Sequence, residues 1–301
     1  MCISERIVRN EINFLKSQNL IEVNALGMFI TADGEEILGQ LKEFIHEIKG
    51  LSKIEKSIEK HLKLKQVIIV PGDVEIDKSV LKELGKAAAN YAMDIIEDNS
   101  IIALTGGTTV KEVVDSFPKN NKYKNILVLP ARGGMARNVE IQANTLVARL
   151  ADRISGNYEL LHVPDNLSNA ALETILNEKD IKNVIDKITS ADILLYGIGI
   201  AKEMAMKRGI PQNKISELEE MGAVGEAFGQ YYNELGEIVY STPTNMVEDE
   251  DVKHDKVLIA VAAGKNKARA IIATEINRSS TVLIIDEAAA QKIINILEKR
   301  E

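Results

Sequence analysis

The stretch Ile101-Ile102-Ala103-Leu104-Thr105-Gly106-Gly107-Thr108-Thr109 decides the fold class of this 301-residue chain. Its first four residues are apolar and have the length of a strand that is buried on both faces. Two glycines and two threonines then lead into a segment with helical periodicity. A buried strand that passes through a glycine turn directly into a helix is typical of the α/β class, in which parallel strands alternate with helices.

The same pattern of strand and helix recurs from residue 66 to the end of the chain. Helical patterns separate most of the apolar runs, so we predict an α/β fold with a doubly wound, mostly parallel sheet. The predicted strands are 67–70, 101–104, 126–129, 160–163, 193–196, 257–261 and 282–285.

Composition and charge exclude several classes of protein. The chain is 45% hydrophobic and 27% charged, as ordinary globular proteins are, and no apolar run approaches the ~20 residues of a membrane span. Its net charge of −8 lies in residues 66–301, which makes broad nucleic-acid binding by that part unfavourable. One cysteine and four scattered histidines give neither an internal disulfide nor a zinc pattern. We therefore expect a cytoplasmic protein without a metal or cofactor.

The N-terminal stretch, in which basic and acidic residues balance, has a different pattern. An apolar stripe at helical spacing, formed by Val8, Ile12 and Leu15, predicts a helix. Residues 20–31 are predicted to form a β-hairpin. Asp33 has capping-box spacing and is predicted to open the next helix. This helix carries an apolar seam over 37–58, with a skipped phase near Gly50, which either links domains or pairs with a second chain.

Loops with small, polar and basic residues follow four of the predicted strands. Gly106-Gly107-Thr108-Thr109 suits an anion, because glycines let backbone N–H groups approach and a helix N-terminus adds positive potential. The loop matches neither the Walker A motif nor G-x-G-x-x-G, and a tight strand–helix turn would need the same glycines. Arg132 and Lys267, which follow other strands, favour a site for a phosphorylated small molecule.

Several motifs occur together in one known family. Residues 4–21 resemble a winged-helix recognition helix that runs into its wing. The remainder resembles the sugar-binding domain of the SorC-type bacterial transcription regulators, whose fold is similar to that of sugar-phosphate isomerases. The motifs that carry this resemblance are Thr105-Gly106-Gly107-Thr108-Thr109, Val128-Leu129-Pro130-Ala131-Arg132-Gly133-Gly134, Gln142-Ala143-Asn144-Thr145, Tyr196-Gly197-Ile198-Gly199 and Glu226-Ala227-Phe228-Gly229-Gln230-Tyr231-Tyr232.

The resemblance implies a transcriptional repressor of glycolytic genes that binds a phosphorylated sugar, with fructose 1,6-bisphosphate as the expected effector. It implies that one phosphate is held by Gly107, Thr108, Thr109 and Lys267. The other phosphate and part of the sugar are expected at Arg132, Gln142 and Arg208. Glu226 is expected to accept hydrogen bonds from the sugar hydroxyls, and no catalytic residue is expected.

The resemblance also implies a DNA operator as partner, faced by Arg6, Arg9, Asn10 and Asn13. A symmetric operator is bound by two copies of the DNA-binding segment, so we expect a homo-oligomer, either a dimer or a tetramer. No membrane partner is expected. The chain is then divided into a partial winged-helix DNA-binding segment (1–33), a linker and dimerisation helix (34–62) and a sugar-phosphate effector domain (63–301).

Two features depart from the family pattern. Family members have further helices before the recognition helix, so the Val8, Ile12 and Leu15 stripe is expected to be exposed. Either the chain is truncated, or its start is misplaced, or the surface of a partner covers this stripe. The family's glycine pair before the phosphate-binding lysine is replaced by Ala263-Gly264, with an additional Lys265. Lys265 and Lys267 are therefore alternatives, of which we prefer Lys267.

Two other functions remain open on the sequence. One is an isomerase or deaminase of sugar phosphates on the same sheet, for which Glu226 is the one carboxylate that we would nominate as general base. The other is a dimerising sugar-phosphate sensor that does not contact DNA.

Overall fold

A computed structural model describes residues 4–25, 27–134, 138–163, 169–242 and 256–299. The chain forms two compact units, Met1–Ser52 and Lys53–Glu301. Within the residues that the structure describes, no helix has the length and apolar character that crossing a bilayer requires.

The N-terminal unit consists of two helices and the predicted hairpin. Its elements are α1 (Glu5–Ser17), β1 (Ile21–Asn24), β2 (Gly27–Ile30) and α2 (Ala32–Ile48). The two strands pair antiparallel, with Ile21 opposite Ile30. The prediction that Asp33 caps α2 is wrong: Thr31 is the N-cap residue, and its hydroxyl accepts a hydrogen bond from the Gly34 amide at 3.0 Å. Asp33 instead accepts a hydrogen bond from the side chain of Asn19.

The predicted seam is divided between two helices. Helix α2 ends at Ile48, and α3 (Leu51–Leu62) begins after Gly50, whose positive φ of 63° suits a residue without a side chain. This break coincides with the skipped phase in the apolar pattern. The apolar side chains on α2 remain substantially exposed: Ile37, Leu38, Leu41, Phe44, Ile45 and Ile48.

The C-terminal unit contains the predicted parallel sheet. Its elements in chain order are β3 (Gln66–Val70), α4 (Ser79–Ile95), β4 (Ile101–Leu104), α5 (Thr108–Ser116), β5 (Leu127–Pro130), α6 (Ala143–Ile154), β6 (Asn157–Tyr158), α7 (Asn169–Leu176), α8 (Lys179–Thr189), β7 (Ile193–Gly197), β8 (Gly199–Ile200), α9 (Ala201–Lys207), α10 (Gln212–Glu220), β9 (Ala223–Ala227), β10 (Gln230–Asn233), β11 (Ile238–Ser241), β12 (Val257–Ala262), α11 (Ala268–Glu275), β13 (Thr281–Asp286) and α12 (Glu287–Leu297).

Seven described strands form one sheet in the order β3-β13-β12-β7-β4-β5-β6, and every neighbouring pair is parallel. From β4 the chain proceeds outward through β5 and β6, whereas from β7 it proceeds the other way through β12 and β13. The strand order therefore reverses between β4 and β7, which is where ligands bind in open α/β sheets. The doubly wound fold class is confirmed.

One predicted strand is displaced. Residues 160–163 lie outside the sheet, and the edge strand is the shorter β6. The backbone groups of Leu161 bond to both polar atoms of the Asn144 side chain, and the Val163 carbonyl accepts from the Gly134 amide. These groups are satisfied without a strand ladder, and Leu161 and Val163 are buried, whereas Leu160 is half-buried and His162 is exposed.

A second sheet lies between residues 197 and 256, where we predicted no strand. Strands β8, β9, β10 and β11 form an antiparallel sheet in the order β11-β10-β9-β8. Phe228 and Gly229 join β9 to β10, and both have positive φ angles, of 56° and 93°. Two consecutive residues of positive φ give the tight hairpin turn that matches strand twist, although phenylalanine rarely adopts this conformation.

The edge strand β3 is covered by α3. The amides of Val67 and Ile69 donate to the carboxylates of Glu59 and Glu55, each at 2.8 Å. Because an exposed strand edge otherwise presents unsatisfied donors, these carboxylates both close the edge and fix α3 on the sheet.

Candidate ligand-binding site

A cavity of about 430 Å³ lies at the carboxyl ends of the strands, where the strand order reverses. We call it the strand-end cavity. It is lined by residues from the loops after β4, β5, β7 and β12, and by residues of α9 and the β9–β10 turn. All eight residues predicted to bind the effector line it: Gly107, Thr108, Thr109, Arg132, Gln142, Arg208, Glu226 and Lys267.

The glycine loop after β4 places the N-terminus of α5 at this cavity. A Cβ atom on Gly106 would lie 2.5 Å from the Ile141 carbonyl oxygen, so the close approach of that segment requires glycine. Gly107 has a φ of 128°, and its amide donates to the same carbonyl at 2.9 Å. Contrary to the expectation that the glycine amides face an anion, the Gly107 amide holds the loop together. The first amides of α5, at Thr108 and Thr109, have no acceptor within the helix and lie at its positive end.

The structure separates the two candidate lysines. Lys267 lines the cavity and donates from Nζ to the Ile198 carbonyl at 2.9 Å. Lys265 does not line it: its exposed Nζ lies 3.3 Å from Glu75 Oε2, and this carboxylate raises the pKa of Lys265. Burial lowers the pKa of Lys267, and the nearby charge of Lys207 lowers it further. An anion in the cavity would relieve both effects.

A buried ionic cluster forms another part of the wall. Glu226 Oε1 lies 2.5 Å from Arg208 Nη2 and 3.6 Å from Arg132 Nη1, and all three side chains are at most 5% exposed. The same oxygen accepts from the Gly229 amide at 2.6 Å. The β9–β10 hairpin brings Glu226 between two guanidinium groups, an environment that the sequence pattern does not predict. These bonds hold the carboxylate at a fixed point of the cavity wall.

The described wall carries four basic and two acidic side chains. Two of these were not predicted, Lys207 and Glu203, which lie one turn apart on α9 and pair loosely at 3.9 Å. Lys207 is next to Arg208 in the sequence, and Glu203 lies four residues before Lys207. On a helix this spacing places the two side chains side by side, which is the signal that could have placed both near Arg208. The excess of basic groups makes the strand-end cavity suitable for an anionic ligand. Across the described ranges, no group of three or more His, Cys, Asp or Glu side chains is placed to hold a metal ion.

The four residues predicted to face DNA lie on α1 and are exposed: Arg6, Arg9, Asn10 and Asn13. Arg9 is bonded to Glu5 one turn earlier, at 2.7 Å. The apolar stripe on this helix is also only partly covered, since Val8 is 44% exposed and Ile12 and Leu15 are half-buried.

These observations define a class of protein: an α/β domain with a cavity suited to a ligand, preceded in the chain by a small unit of helices and a hairpin. Comparison with known families agrees. Residues 46–295 match the family described as "Putative sugar-binding domain", and residues 1–45 match the "CggR N-terminal DNA binding domain". The chain belongs to the SorC-type family of transcriptional regulators, which combine a DNA-binding and a sugar-binding domain.

Individual relatives support this assignment. The chain is 40% identical over 292 residues to the central glycolytic genes regulator of Bacillus subtilis (strain 168), covering 97% of this chain and 86% of that protein. It is 38% identical over 293 residues to the regulator of the same name from Priestia megaterium, with the same coverage. A solved structure of a SorC family regulator from Enterococcus faecalis superimposes with a TM-score of 0.75 and 33% identity, covering 80% of this chain and 99% of that one.

Proposed function

We propose that this protein is a DNA-binding repressor of glycolytic genes whose activity is controlled by a phosphorylated sugar, fructose 1,6-bisphosphate. The observation that carries the proposal is the convergence of eight predicted residues, from five separate segments, on one cationic cavity. The proposal that the regulated genes are glycolytic is supported by two relatives that are named central glycolytic genes regulator. Such a regulator acts in the cytoplasm, where bacterial DNA is read.

The two cationic parts of the strand-end cavity suit a ligand with two phosphates. One phosphate would accept from the first amides of α5, at Thr108 and Thr109, and from Lys267. The other would lie near Arg132 and Arg208, whose planar guanidinium groups match phosphate oxygens. Gln142 lines the same cavity and is proposed to contact this second phosphate or the sugar.

Glu226 is the proposed contact for the sugar itself. A carboxylate accepts hydrogen bonds and cannot donate them, so it is suited to the hydroxyl groups of a sugar. Since Arg208 and the Gly229 amide both bond to Oε1, these contacts leave Oε2 as the oxygen for the ligand.

Two lysines of the same loop, Lys265 and Lys267, provide the sharpest test of the effector site. Lys267→Gln removes a charge from the cavity, whereas Lys265→Gln removes one from the neighbouring surface. A charge-assisted hydrogen bond contributes about 1.5–3 kcal/mol, so calorimetric titration with fructose 1,6-bisphosphate should give a Kd raised at least about tenfold by Lys267→Gln. Lys265→Gln should bind as the unmodified protein does. Equal losses in both variants, or no binding by the unmodified protein, would overturn the effector assignment.

The N-terminal unit is proposed to bind the operator through the exposed polar face of α1. The boundaries 1–33, 34–62 and 63–301, and assembly into a dimer or tetramer through the apolar side chains of α2, are part of this proposal. Substituting Arg6 by alanine should weaken retardation of operator DNA in a gel and reduce the salt dependence of binding. Unchanged retardation would place the DNA contacts elsewhere.

A regulator rather than an enzyme is proposed, because the matched relatives are named regulators and one matched family model is a DNA-binding domain. The nominated base, Glu226, already accepts hydrogen bonds at Oε1 from Arg208 and from the Gly229 amide, which favours the role of a fixed hydrogen-bond acceptor. Incubation with aldose and ketose phosphates is expected to give no turnover, and turnover abolished by Glu226→Gln would support the enzyme instead.

A further inference from the structure

Asp286 is a fully buried carboxylate at the carboxyl end of the parallel sheet. It is the last residue of β13, which lies between β3 and β12. Its side chain has no exposure to solvent, and it is not among the residues that line the strand-end cavity. Burying a charge is costly unless hydrogen bonds compensate for it, so the partners of Asp286 indicate what the carboxylate does.

Each oxygen of this carboxylate binds the loop that follows one neighbouring strand. Oδ2 accepts from the Val74 amide at 3.1 Å, after β3, and Oδ1 accepts from the Gly264 amide at 2.9 Å, after β12. The same loops meet at the surface, where Lys265 lies 3.3 Å from Glu75, but exposed pairs contribute little. An asparagine could accept from only one of the two amides, because its side-chain nitrogen is a donor.

The carboxylate does not cap the helix that follows it. Asp286 is the N-cap residue of α12, where an aspartate side chain commonly accepts from an amide of the first turn, yet it makes no such bond. The Gly72 carbonyl accepts from the Ala288 amide instead, at 3.2 Å. The positive end of α12 favours the buried charge, while both oxygens of that charge bind the two loops.

A short backbone path joins Asp286 to the lysine of the strand-end cavity. Gly264 is held by Asp286 at its amide, and its carbonyl accepts from the Lys267 amide at 3.1 Å, which closes the turn. Gly264 has a φ of 101°, and a Cβ atom there would lie 2.8 Å from Asn266 Oδ1, so this turn requires glycine. The position of the Lys267 backbone thus depends on a turn that Asp286 holds.

Electrostatic interactions favour the same role. Burial and the nearby charge of Lys207 lower the pKa of Lys267, whereas the carboxylates of Glu203 and Asp286 oppose this lowering. Asp286 therefore favours the charged form of Lys267, which is the form that binds an anion.

We propose that Asp286 is a positioning residue of the strand-end cavity, which fixes the loop after β12 so that Lys267 meets an anionic ligand. This role rests on the proposed function, in which Lys267 binds a phosphate of the effector. Asp286→Asn removes the charge and one of the two acceptors. It leaves Lys267 in place in the sequence but loosens the turn that carries it.

The test is a double-mutant cycle, measured as the Kd for fructose 1,6-bisphosphate by calorimetric titration of the full chain. Asp286→Asn should raise the Kd about fivefold or more, up to the effect of Lys267→Gln. In the Lys267→Gln background the same substitution should change the Kd by less than about twofold, because a residue that acts through Lys267 has no effect once that lysine is absent. Equal losses in both backgrounds, or unchanged binding by Asp286→Asn, would overturn the proposal.

Glu287→Gln is the matched control for this cycle. The Glu287 carboxylate accepts from the Gly72 amide at 2.8 Å, so the variant changes a carboxylate that holds the loop after β3 but not the loop after β12. Its Kd should stay within about twofold of that of the unmodified protein. A loss in Glu287→Gln as large as that in Asp286→Asn would contradict a specific role for Asp286.

Hydrogen exchange measured by NMR gives a second readout that needs no ligand. In the unmodified protein the Gly264 amide should exchange as slowly as amides of the sheet, and the Gly264 or Val74 amide should exchange faster in Asp286→Asn while core amides keep their rates. Rapid exchange at Gly264 in the unmodified protein would overturn the proposal even if the variant does not fold. Protection of this kind without any binding of the bisphosphate would instead contradict the proposed function and support the hold of Asp286 on the loop.

Discussion

Replacing Glu226 by glutamine removes the negative charge that lies between Arg132 and Arg208. The three side chains are at most 5% exposed, so bulk water replaces the lost carboxylate poorly. Removing one partner of a buried ion pair costs about 3–5 kcal/mol, because it leaves an uncompensated buried charge. In a domain of this size each kcal/mol corresponds to roughly 2–4 °C, so Glu226→Gln should lower the Tm by about 10 °C.

Scanning calorimetry of the ligand-free protein measures this change, and Glu203→Gln is the matched control. Glu203 also lines the strand-end cavity, but its carboxylate is 51% exposed and lies 3.9 Å from Lys207. Exposed pairs of this kind contribute little, so the Tm of the control should stay within about 2 °C of that of the unmodified protein.

Adding fructose 1,6-bisphosphate gives the experiment a second readout. If its second phosphate lies beside Arg132 and Arg208, the ligand replaces the missing charge, and the difference in Tm between Glu226→Gln and the unmodified protein becomes smaller. A ligand-free Tm that falls by less than 2 °C in Glu226→Gln would refute the reasoning, since the two guanidinium groups would then be stable without the carboxylate.

Three further predictions concern other parts of the fold. Burial raises the pKa of Glu275, so its contribution to stability is full below the ordinary carboxyl range and declines as pH rises through the raised pKa. Glu275→Gln should therefore flatten the fall of Tm as pH rises above about 4. Gly106→Ala forces a methyl group towards the Ile141 carbonyl and should cost about 1–3 kcal/mol in urea unfolding, whereas Gly39→Ala, with nothing within 4 Å, should not destabilise. Glu59→Leu removes the acceptor of an edge-strand amide in β3, which should exchange its hydrogen faster by NMR while core amides are unchanged.

Much of the candidate site could be predicted because it follows from strand order. Apolar runs of strand length identify the strands, and the carboxyl ends of parallel strands meet at one edge of the sheet. The loops with Thr108, Arg132 and Lys267 therefore had to approach one another, and they do. The preference for Lys267 over Lys265 agrees with their positions inside and outside the cavity.

What was missed depends on contacts between distant segments. The sequence does not predict the β9–β10 hairpin, because its turn places Phe228 at positive φ, where Asn, Asp or Gly is usual. The burial of Glu226 between two arginines follows from that hairpin. The bond from the Gly107 amide to Ile141 joins segments 34 residues apart, and no local pattern indicates it.

The sequence by itself determined the parallel α/β sheet, the break near Gly50 and the set of loops at the strand ends, because each depends on local periodicity or on chain order. Only the tertiary structure decided which charged side chains meet on the described wall of the strand-end cavity, and the pairing of Glu226 with Arg208. The physical reason is that burial and electrostatic partners are properties of the folded chain, and a charged residue has the same letter in the sequence whether water or another charge surrounds it.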